Sequence, residues 1–345
     1  MRQYRVAVVG ATGAVGTKIV ELLEDSPLQV SELRLLASKR SVGQRRAFRG
    51  QEIEVREAVP EQFEGVDIAF FSAGGSVSKV LVPEAVKRGA VVIDNTSAFR
   101  MEEEVPLVVP EVNMADTYQH KGIIANPNCS TIQMVTALKP LYDRYGIEKI
   151  IVSTYQAVSG AGQQAINELH EQSAQVLKGE AVEPRVLPVK SLARHHQIAF
   201  NAIPQIDVFQ DNGFTMEEMK MVRETQKIFH APDLAVTATC VRVPVFNGHS
   251  ESVYVELGAD FTIEEVRQLL SQASGVVVVD EPENQAYPMA VMASGRKEVF
   301  VGRIRKDLYH PRGLNLWIVS DNLLKGAAWN AVQIAEQLFA NHRSS

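Results

Sequence analysis

Cys129 is the residue whose type and setting most strongly indicate covalent chemistry. It lies in the segment Asn-Pro-Asn-Cys-Ser-Thr at positions 126–131, between an apolar run and a predicted helix. The amide hydrogens and the positive dipole end at the start of a helix stabilise a thiolate and can hold an oxyanion. An average cysteine is more often buried and inert. The polar surroundings at a helix start nevertheless predict that Cys129 is a nucleophile.

A histidine that could transfer protons is the second candidate. Of the eight histidines, His249 follows the pair Asn247 and Gly248, whose turn can aim the ring inward, and precedes a strand-like run. A thiol nucleophile used with a nicotinamide indicates oxidation or reduction at the acyl level. The reason is that a thioester can accept hydride and a thiohemiacetal can donate it.

A glycine cluster near the N-terminus predicts a dinucleotide cofactor. Residues 10–16 are Gly-Ala-Thr-Gly-Ala-Val-Gly and lie between an apolar strand at 6–9 and a helical pattern. Glycines at this position allow a tight turn and a close approach of the backbone to a pyrophosphate. The spacing differs from the common Gly-x-Gly-x-x-Gly, and an ordinary turn is the alternative interpretation. The predicted cofactor contacts in this turn are Gly10, Thr12, Gly13, Ala14 and Val15.

The loop after the second predicted strand indicates which dinucleotide is bound. The strand 33–37 ends in Ser38, Lys39, Arg40 and Ser41, where an NAD enzyme would place a carboxylate on the ribose hydroxyl. Guanidinium and hydroxyl groups bind phosphate oxygens, whereas a carboxylate would repel them. The loop therefore favours NADP over NAD and predicts Ser38, Arg40 and Ser41 as cofactor ligands. The alternative is a solvated basic loop.

The elements that position these groups follow two patterns. In the first part of the chain, apolar runs of strand length alternate with helical patterns, which predicts an α/β domain with a Rossmann-type doubly wound parallel sheet. After about residue 131, helical patterns at 132–145 and 163–178 flank alternating runs such as 251–257. This part is predicted to be an α+β domain with an open antiparallel or mixed sheet. A last amphipathic helix is predicted from Asn322.

Composition limits the class of protein and of partner. The chain of 345 residues is long enough for two domains, and 46% hydrophobic residues indicate a globular protein. A net charge of -6 argues against nucleic acid or an anionic membrane as partner. Two cysteines are consistent with a reducing compartment, and no apolar run is long enough for a membrane span or a secretory signal. We expect a cytoplasmic protein that acts on small molecules, and we predict no metal site.

Three motifs together resemble the bacterial aspartate-semialdehyde dehydrogenases. They are the segment 127–131 around Cys129, the segment 239–250 (Thr-Cys-Val-Arg-Val-Pro-Val-Phe-Asn-Gly-His-Ser) and the glycine cluster 10–16. The resemblance runs nearly end to end. It implies an NADP-binding domain at 1–131 that is completed by the C-terminal helix 322–345, and a catalytic and dimerisation domain at 132–321. It also implies a homodimer or a homotetramer.

The resemblance implies a role for each residue that handles the organic substrate. Cys129 is similar to the nucleophile that forms the acyl-enzyme, and His249 to its acid–base group. Arg242 resembles the arginine that holds the substrate α-carboxylate, and Glu217 the glutamate that binds its ammonium. Gln156 resembles a glutamine that orients the substrate; as a simple alternative it is a polar strand residue.

The resemblance also implies residues for phosphate and for the nicotinamide. Arg100 and Lys220 resemble the phosphate-binding pair, whose alternative interpretation is two surface charges. One arginine for each anionic end suits a small dianion, because a planar guanidinium binds carboxylate or phosphate through paired charge-assisted bonds. The residues expected beside the nicotinamide are Ser159, Gly160 and Asn322, the last of which could instead be a helix N-cap.

The implied activity is NADP-dependent interconversion of L-aspartate 4-semialdehyde plus phosphate with L-4-aspartyl phosphate, through a cysteine thioester. This reaction would serve lysine, methionine and threonine biosynthesis. The nearest alternative is N-acetyl-glutamyl-phosphate reductase, whose substrate has a blocked amine, whereas Glu217 fits a free ammonium. A non-catalytic NADP-sensing protein is the alternative from another class. The presence of Cys129, His249, Arg100 and Arg242 together argues against it.

Overall fold

The computed structural model describes residues 2–340, which fall into two compact units. Residues 2–128 and 327–340 form the first unit, and Cys129–Gly326 form the second. The boundaries predicted from the sequence lie nearby, at 131/132 and 321/322, and the functional assignment of the two parts stays a prediction. Residues 341–345, which are predicted to belong to the last helix, lie outside the described residues. No helix within 2–340 is long and apolar enough to cross a lipid bilayer.

A seven-stranded sheet forms the centre of the first unit. Its strands are β1 Tyr4–Val9, β2 Val30–Ala37, β3 Arg45–Phe48, β4 Gln51–Glu57, β5 Ile68–Phe71, β6 Val91–Asp94 and β7 Ile123–Ala125. The order is β3-β4-β2-β1-β5-β6-β7, and every neighbouring pair is parallel except β3 and β4. The predicted doubly wound parallel sheet is therefore confirmed, with an antiparallel edge strand in addition.

Helices α1 Ala14–Glu24, α2 Gly75–Lys87 and, near the C-terminus, α9 Trp329–Ala335 pack on this sheet. The short helix α3 Pro110–Asn113 packs against α9. The apolar faces of α1 and α9 share one core with β1, in which Ile19, Ala331 and Val332 are buried against Val6 and Val8. Burial of these residues ties the C-terminal segment to the N-terminal unit.

A six-stranded mixed sheet forms the centre of the second unit. Its strands are β8 Ile147–Gln156, β9 Ala235–Arg242, β10 His249–Leu257, β11 Val276–Val278, β12 Val299–Lys306 and β13 Gly313–Ser320. The order is β11-β12-β13-β10-β8-β9, in which β11/β12 and β8/β9 are parallel and the other pairs antiparallel. The predicted open mixed sheet is confirmed.

Five α-helices accompany this sheet within the described residues, and strand ends meet at one side of it. The helices are α4 Cys129–Tyr145, α5 Gln163–Leu177, α6 Met216–Ile228, α7 Ile263–Ser271 and α8 Ala290–Ala293. Helix α4 packs against β10, β13, β8 and β12, with α6 and α7 beside it. Parallel β8 and β9 end at Gln156 and Arg242, where antiparallel β10 begins with His249. Residues distant in sequence therefore meet at this edge.

Candidate active site

The glycine turn of the first unit follows β1 and has no room for a side chain at Gly10 or Gly16. Gly10 has φ +84°, and a Cβ there would lie 2.8 Å from the Ser72 carbonyl carbon. A Cβ at Gly16 would lie 2.1 Å from the Gly10 oxygen. Gly13, which precedes α1, donates its N–H to that oxygen at 2.9 Å. The turn thus brings bare backbone to the start of a helix, an arrangement that fits the pyrophosphate of a dinucleotide.

The loop after β2 lies next to this turn. Thr12 Oγ1 and Ser41 Oγ are 3.2 Å apart, and the Ser41 N–H donates to the Ser38 carbonyl at 2.9 Å. Arg40 is exposed, and Val15 packs partly against the core. The loop and the turn therefore present hydroxyl, guanidinium and amide donors in one neighbourhood. These groups fit a phosphorylated dinucleotide, and their individual contacts stay predictions.

Arg100 is built into the same unit and is not a surface charge. It is 8% exposed, and its guanidinium donates from Nε to the Asn126 carbonyl at 2.9 Å and from Nη2 to the Asn95 carbonyl at 2.8 Å. These carbonyls follow the carboxyl ends of β7 and β6. The cation is thus held at the edge of the parallel sheet where ligands of such folds bind.

Cys129 is the first residue of α4 and is partly exposed. A Cβ at Gly326 would lie 2.7 Å from the Cys129 Cβ, so a glycine is required beside the thiol. Arg242 is close enough to interact with Cys129 electrostatically, and a nearby cation at a helix start stabilises a thiolate. Cys240, by contrast, is fully buried on β9, and burial raises its pKa well above the ordinary value. Only Cys129 has the setting of a nucleophile.

His249 is fully buried at the start of β10, and its two ring nitrogens have different surroundings. Nδ1 accepts a hydrogen bond from the Ala157 N–H at 3.0 Å, whereas Nε2 has no partner among the described residues. Burial, followed by the adjacent Arg242 cation, lowers the pKa of His249 to about 3. The imidazole is therefore neutral at physiological pH.

Arg242, like His249, forms a hydrogen bond with the backbone of Ala157. Its Nη1 donates to the Ala157 carbonyl at 2.7 Å, and its backbone pairs with Ile203. Burial lowers the pKa of Arg242, but a guanidinium remains charged in proteins. Its Nε has no partner among residues 2–340, so this donor is available to an anion.

A chain of polar contacts joins three of the predicted residues. Gln156 Nε2 donates to Glu217 Oε1 at 3.1 Å, and Glu217 Oε2 pairs with Lys220 Nζ at 3.3 Å. Lys220 also donates to Asp207 Oδ2 at 2.9 Å, so its ammonium lies between two carboxylates. Gln156 is therefore a buried member of the site rather than an isolated strand residue.

Ser159 and Asn322 form a second polar cluster. Asn322 Nδ2 donates to Ser159 Oγ at 2.9 Å, and Asn322 Oδ1 accepts the Gly248 N–H at 2.9 Å. Asn322 is not a helix N-cap, because the final helical segment begins at Leu324 and the Asp321 carboxylate accepts the N–H groups of Leu323 and Leu324. The predicted helix start at Asn322 is thus two residues early. By accepting this bond, Asn322 positions Gly248, which directly precedes His249.

The backbone of Gly160 lies close to His249 and Arg242. A Cβ at this position would lie 3.1 Å from His249 Nε2 and 3.0 Å from Arg242 Nη1. Such contacts are tighter than ordinary van der Waals separations. A glycine here avoids these contacts with the imidazole and the guanidinium.

Comparison with known proteins assigns the family. Family models for the NAD binding domain and the dimerisation domain of semialdehyde dehydrogenase match residues 5–120 and 138–325. The chain belongs to the semialdehyde dehydrogenase family. It is 63% identical over 338 residues to the aspartate-semialdehyde dehydrogenase of Bacillus subtilis, with 98% of each chain covered.

Two solved structures of the family are similar to this chain over nearly its whole length. Aspartate semialdehyde dehydrogenase II of Vibrio cholerae, complexed with ASA, is 50% identical with a TM-score of 0.93 and covers 99% of this chain and 100% of its own. The Candida albicans aspartate semialdehyde dehydrogenase with NADP is 27% identical with a TM-score of 0.75, covering 98% and 99%.

The structure adds residues to this semialdehyde dehydrogenase site that sequence reasoning missed. Ala157 acts through its backbone, so its side chain gave no signal. Gly326 became evident only from its close approach to Cys129, and Asp207 only from its ion pair with Lys220. Gln133 could have been found, because a glutamine interrupts the apolar pattern of α4 one turn after Cys129.

Proposed function

We propose that this chain is an NADP-dependent aspartate-semialdehyde dehydrogenase. It interconverts L-aspartate 4-semialdehyde plus phosphate with L-4-aspartyl phosphate, through a thioester on Cys129. The observation that carries the proposal is the assembly of a thiol at a helix start, a buried neutral imidazole and a buried arginine in one unit of a semialdehyde dehydrogenase.

The proposed roles follow from the chemistry of each group. The Cys129 thiolate attacks the acyl carbon of aspartyl phosphate, the bond to the phosphate oxygen breaks, and a thioester remains. Amide hydrogens at the start of α4 stabilise the oxyanion. Arg242 holds the α-carboxylate, Glu217 the ammonium, and Gln156 orients the substrate. The phosphate is held by Arg100 and Lys220.

The proposed cofactor is NADP. A nicotinamide cofactor, when bound, supplies or accepts the hydride. The glycine turn would hold its pyrophosphate, and Ser38, Arg40 and Ser41 its 2′-phosphate. The exposed basic loop with no carboxylate, next to Thr12, supports this assignment over NAD. Ser159, Gly160 and Asn322 are assigned to the nicotinamide end.

The substrate follows from the charge of the site. Glu217 is a buried carboxylate, 6% exposed, that accepts hydrogen bonds from Gln156 and Lys220, and a carboxylate can pair with the free ammonium of aspartate semialdehyde. An N-acetylated amine would offer no charge to this carboxylate. The site therefore favours aspartate semialdehyde over N-acetyl-glutamate semialdehyde.

The decisive assay is NADPH formation from L-aspartate semialdehyde in the presence and absence of phosphate. We expect turnover that requires phosphate, that is faster with NADP than with NAD, and that is much slower with N-acetyl-glutamate semialdehyde. Preference for the acetylated substrate would favour the reductase alternative. Cofactor binding without turnover would favour the sensing protein.

Assembly and location are also proposed. A match to the dimerisation domain of the family supports an oligomer, and we propose a homodimer or homotetramer. A cytoplasmic location, as expected from the sequence, is part of the same proposal.

A further inference from the structure

Three asparagine side chains of the first unit are joined by hydrogen bonds between their amides. Asn330 Nδ2 donates to Asn126 Oδ1 at 2.7 Å, and Asn126 Nδ2 donates to Asn95 Oδ1 at 3.0 Å. Asn126 and Asn330 are buried, and Asn95 is partly buried. These three residues form the amide row. It connects helix α9 to the residues that directly follow β6 and β7.

Backbone carbonyls at both ends fix the direction of the amide row. Asn330 Nδ2 also donates to the Val108 carbonyl at 3.0 Å, and Asn95 Nδ2 donates to the Phe71 carbonyl at 3.2 Å. A carbonyl can only accept a hydrogen bond, so neither terminal amide can exchange its nitrogen and oxygen without loss. The central amide of Asn126 must then accept from one neighbour and donate to the other.

Two members of the amide row also hold the guanidinium of Arg100. Its Nε donates to the Asn126 carbonyl at 2.9 Å, and its Nη2 donates to the Asn95 carbonyl at 2.8 Å. The side-chain bond between Asn126 and Asn95 therefore links the two residues whose carbonyls accept from one guanidinium. Because a guanidinium is planar and rigid, fixing two of its N–H groups fixes the direction of the others.

Burial makes the amide row sensitive to the loss of one member. Without the Asn330 amide, the Asn126 side-chain oxygen would lose its donor, and a buried acceptor without a donor is costly. Asn126 could recover a partner only by rotating its amide, which would break the bond to Asn95. A change on helix α9 is thereby transmitted to the two carbonyls that hold Arg100.

We propose that Asn330 is a positioning residue for Arg100 and acts through Asn126. This inference rests on the proposed function, in which Arg100 holds phosphate. Asn330 itself is fully buried, so its effect on a ligand is exerted through the amide row. Helix α9 therefore sets the direction of the phosphate-binding cation, in addition to closing the core of the first unit.

Steady-state kinetics of Asn330→Ala test this role. We expect the KM for phosphate to rise about tenfold, because small displacements of a binding group are costly. Arsenate in place of phosphate should show the same rise, and the KM for aspartate semialdehyde should stay within about twofold of wild type. A merely structural role would lower kcat by reducing the fraction of folded enzyme. An unchanged KM for phosphate would overturn the proposal.

Gln333→Ala is the matched control on the same helix. Gln333 Nε2 donates to Glu111 Oε1 at 2.9 Å, so this amide also ties α9 to the first unit, but it is not bonded to the amide row. We expect the KM for phosphate to be unchanged in this variant. A rise equal to that of Asn330→Ala would show that any loosening of the helix has the same effect, and the specific role of Asn330 would be wrong.

A double-mutant cycle with Arg100→Leu tests whether Asn330 acts through the arginine. In the Arg100→Leu background, Asn330→Ala should change kcat/KM for phosphate per active site by less than about twofold, because the group that it positions is gone. Additive losses in the double variant would contradict the proposal, since they would mean that Asn330 affects phosphate by a separate route.

Two further variants apply if Asn330→Ala does not fold. The hydroxyl of Asn330→Ser is one bond shorter than the amide nitrogen and can bond to a carbonyl of the preceding helical turn. Asn95→Ala interrupts the amide row at its partly buried end and keeps the backbone carbonyl that accepts from Arg100. We expect the same selective rise in the KM for phosphate from both. A normal KM in either variant would refute the positioning role.

The phosphate dependence of the wild type separates failure of this inference from failure of the proposed function. If wild-type protein forms NADPH without phosphate, the proposed function is wrong. If it requires phosphate, and Arg100→Leu raises the KM for phosphate but Asn330→Ala does not, only the positioning role is wrong.

Discussion

The cofactor turn, comprising residues 10–16 and the loop 38–41, and the buried cluster around His249 are built in different ways. The turn belongs to the first unit, depends on backbone conformation and leaves Arg40 exposed. The cluster belongs to the second unit and depends on hydrogen bonds between buried residues far apart in sequence, as in Ser159 and Asn322, which are 163 positions apart. A local motif can specify the first arrangement. Only the completed fold creates the second.

The sharpest test of this comparison uses one arginine from each unit. Arg242→Leu should raise the KM for aspartate semialdehyde and lower kcat, because loss of the carboxylate contact also misplaces the carbonyl over Cys129. Arg100→Leu should instead raise the KM for phosphate most strongly. A lost charge-assisted contact in a closed site costs about 2–5 kcal/mol, roughly 30-fold to several thousand-fold in kcat/KM.

Steady-state kinetics of both arginine variants against both varied substrates measure the effect. Arsenate in place of phosphate should show the same defect in Arg100→Leu. Interchangeable profiles, or a change within about threefold for either variant, would show that the two roles are wrongly assigned.

The next largest effect should come from adding a methyl group beside His249. In Gly160→Ala the added methyl would lie 3.0 Å from Arg242 Nη1 and 3.1 Å from His249 Nε2. We expect kcat/KM to fall roughly 10- to 100-fold, because small misplacements of reacting groups are costly. Gly75→Ala is the matched control, since its Cβ would meet only Ala98 at 4.0 Å. Full activity of Gly160→Ala would mean that these contacts do not misplace His249 or Arg242.

A smaller and selective effect is expected from the cofactor turn. Arg40→Ala should weaken the binding of NADP by about tenfold and leave the binding of NAD nearly unchanged, since an exposed guanidinium contributes little beyond its contact to the 2′-phosphate. Arg45→Ala removes another exposed arginine, on β3, and serves as the control. Binding titrations with both cofactors measure this. Equal losses of affinity for NADP and NAD would show that the loop does not recognise the 2′-phosphate.

The smallest effect concerns stability and not catalysis. Burial raises the pKa of Glu251 in the folded protein. The stability contributed by its protonated carboxyl group is therefore fully present below pH about 4.5, and it is lost as the pH rises through this raised pKa. Glu251→Gln has no proton to lose. Relative to wild type, its free energy of unfolding should therefore increase as pH rises from about 5 to 9.

Urea unfolding at a series of pH values measures the Glu251 effect. The exposed Glu180→Gln is the control and should show no such trend. A difference between Glu251→Gln and wild type that stays constant with pH would mean that the carboxyl group is not held neutral. Gln133 lies near this carboxyl group, but neither oxygen has a hydrogen-bonding partner of good geometry among residues 2–340.

The fold was predictable from sequence where a local pattern is decisive. The apolar run before Gly10 and the helical pattern after Gly16 predict β1 and α1, and the alternation in 251–257 predicts β10 with Val253 and Val255 buried. The order of strands in the mixed sheet and the parallel pairing of β8 with β9 were not predictable. Such pairings depend on contacts between segments distant in the chain.

The site was predictable only for residues whose type carries the chemistry. Cys129, Arg242 and His249 stand out by type and motif. Ala157 could not be foreseen, because its contribution is one N–H and one carbonyl, which every residue but proline has. Gln133 joins α4 to the edge of the sheet by accepting from Ser320 Oγ at 2.9 Å and facing the His249 carbonyl at 3.4 Å. That contact exists only after β10 and β13 have paired.

Detection of the acyl-enzyme tests the central claim most directly. Wild-type protein and Cys129→Ser are mixed with aspartyl phosphate without NADPH, quenched in acid and analysed by peptide mass spectrometry. We predict an aspartyl adduct on Cys129 of the wild type, none on Cys240, and none in Cys129→Ser, which should still bind NADP. An adduct confined to Cys240, or turnover by Cys129→Ser at the wild-type rate, would contradict the account.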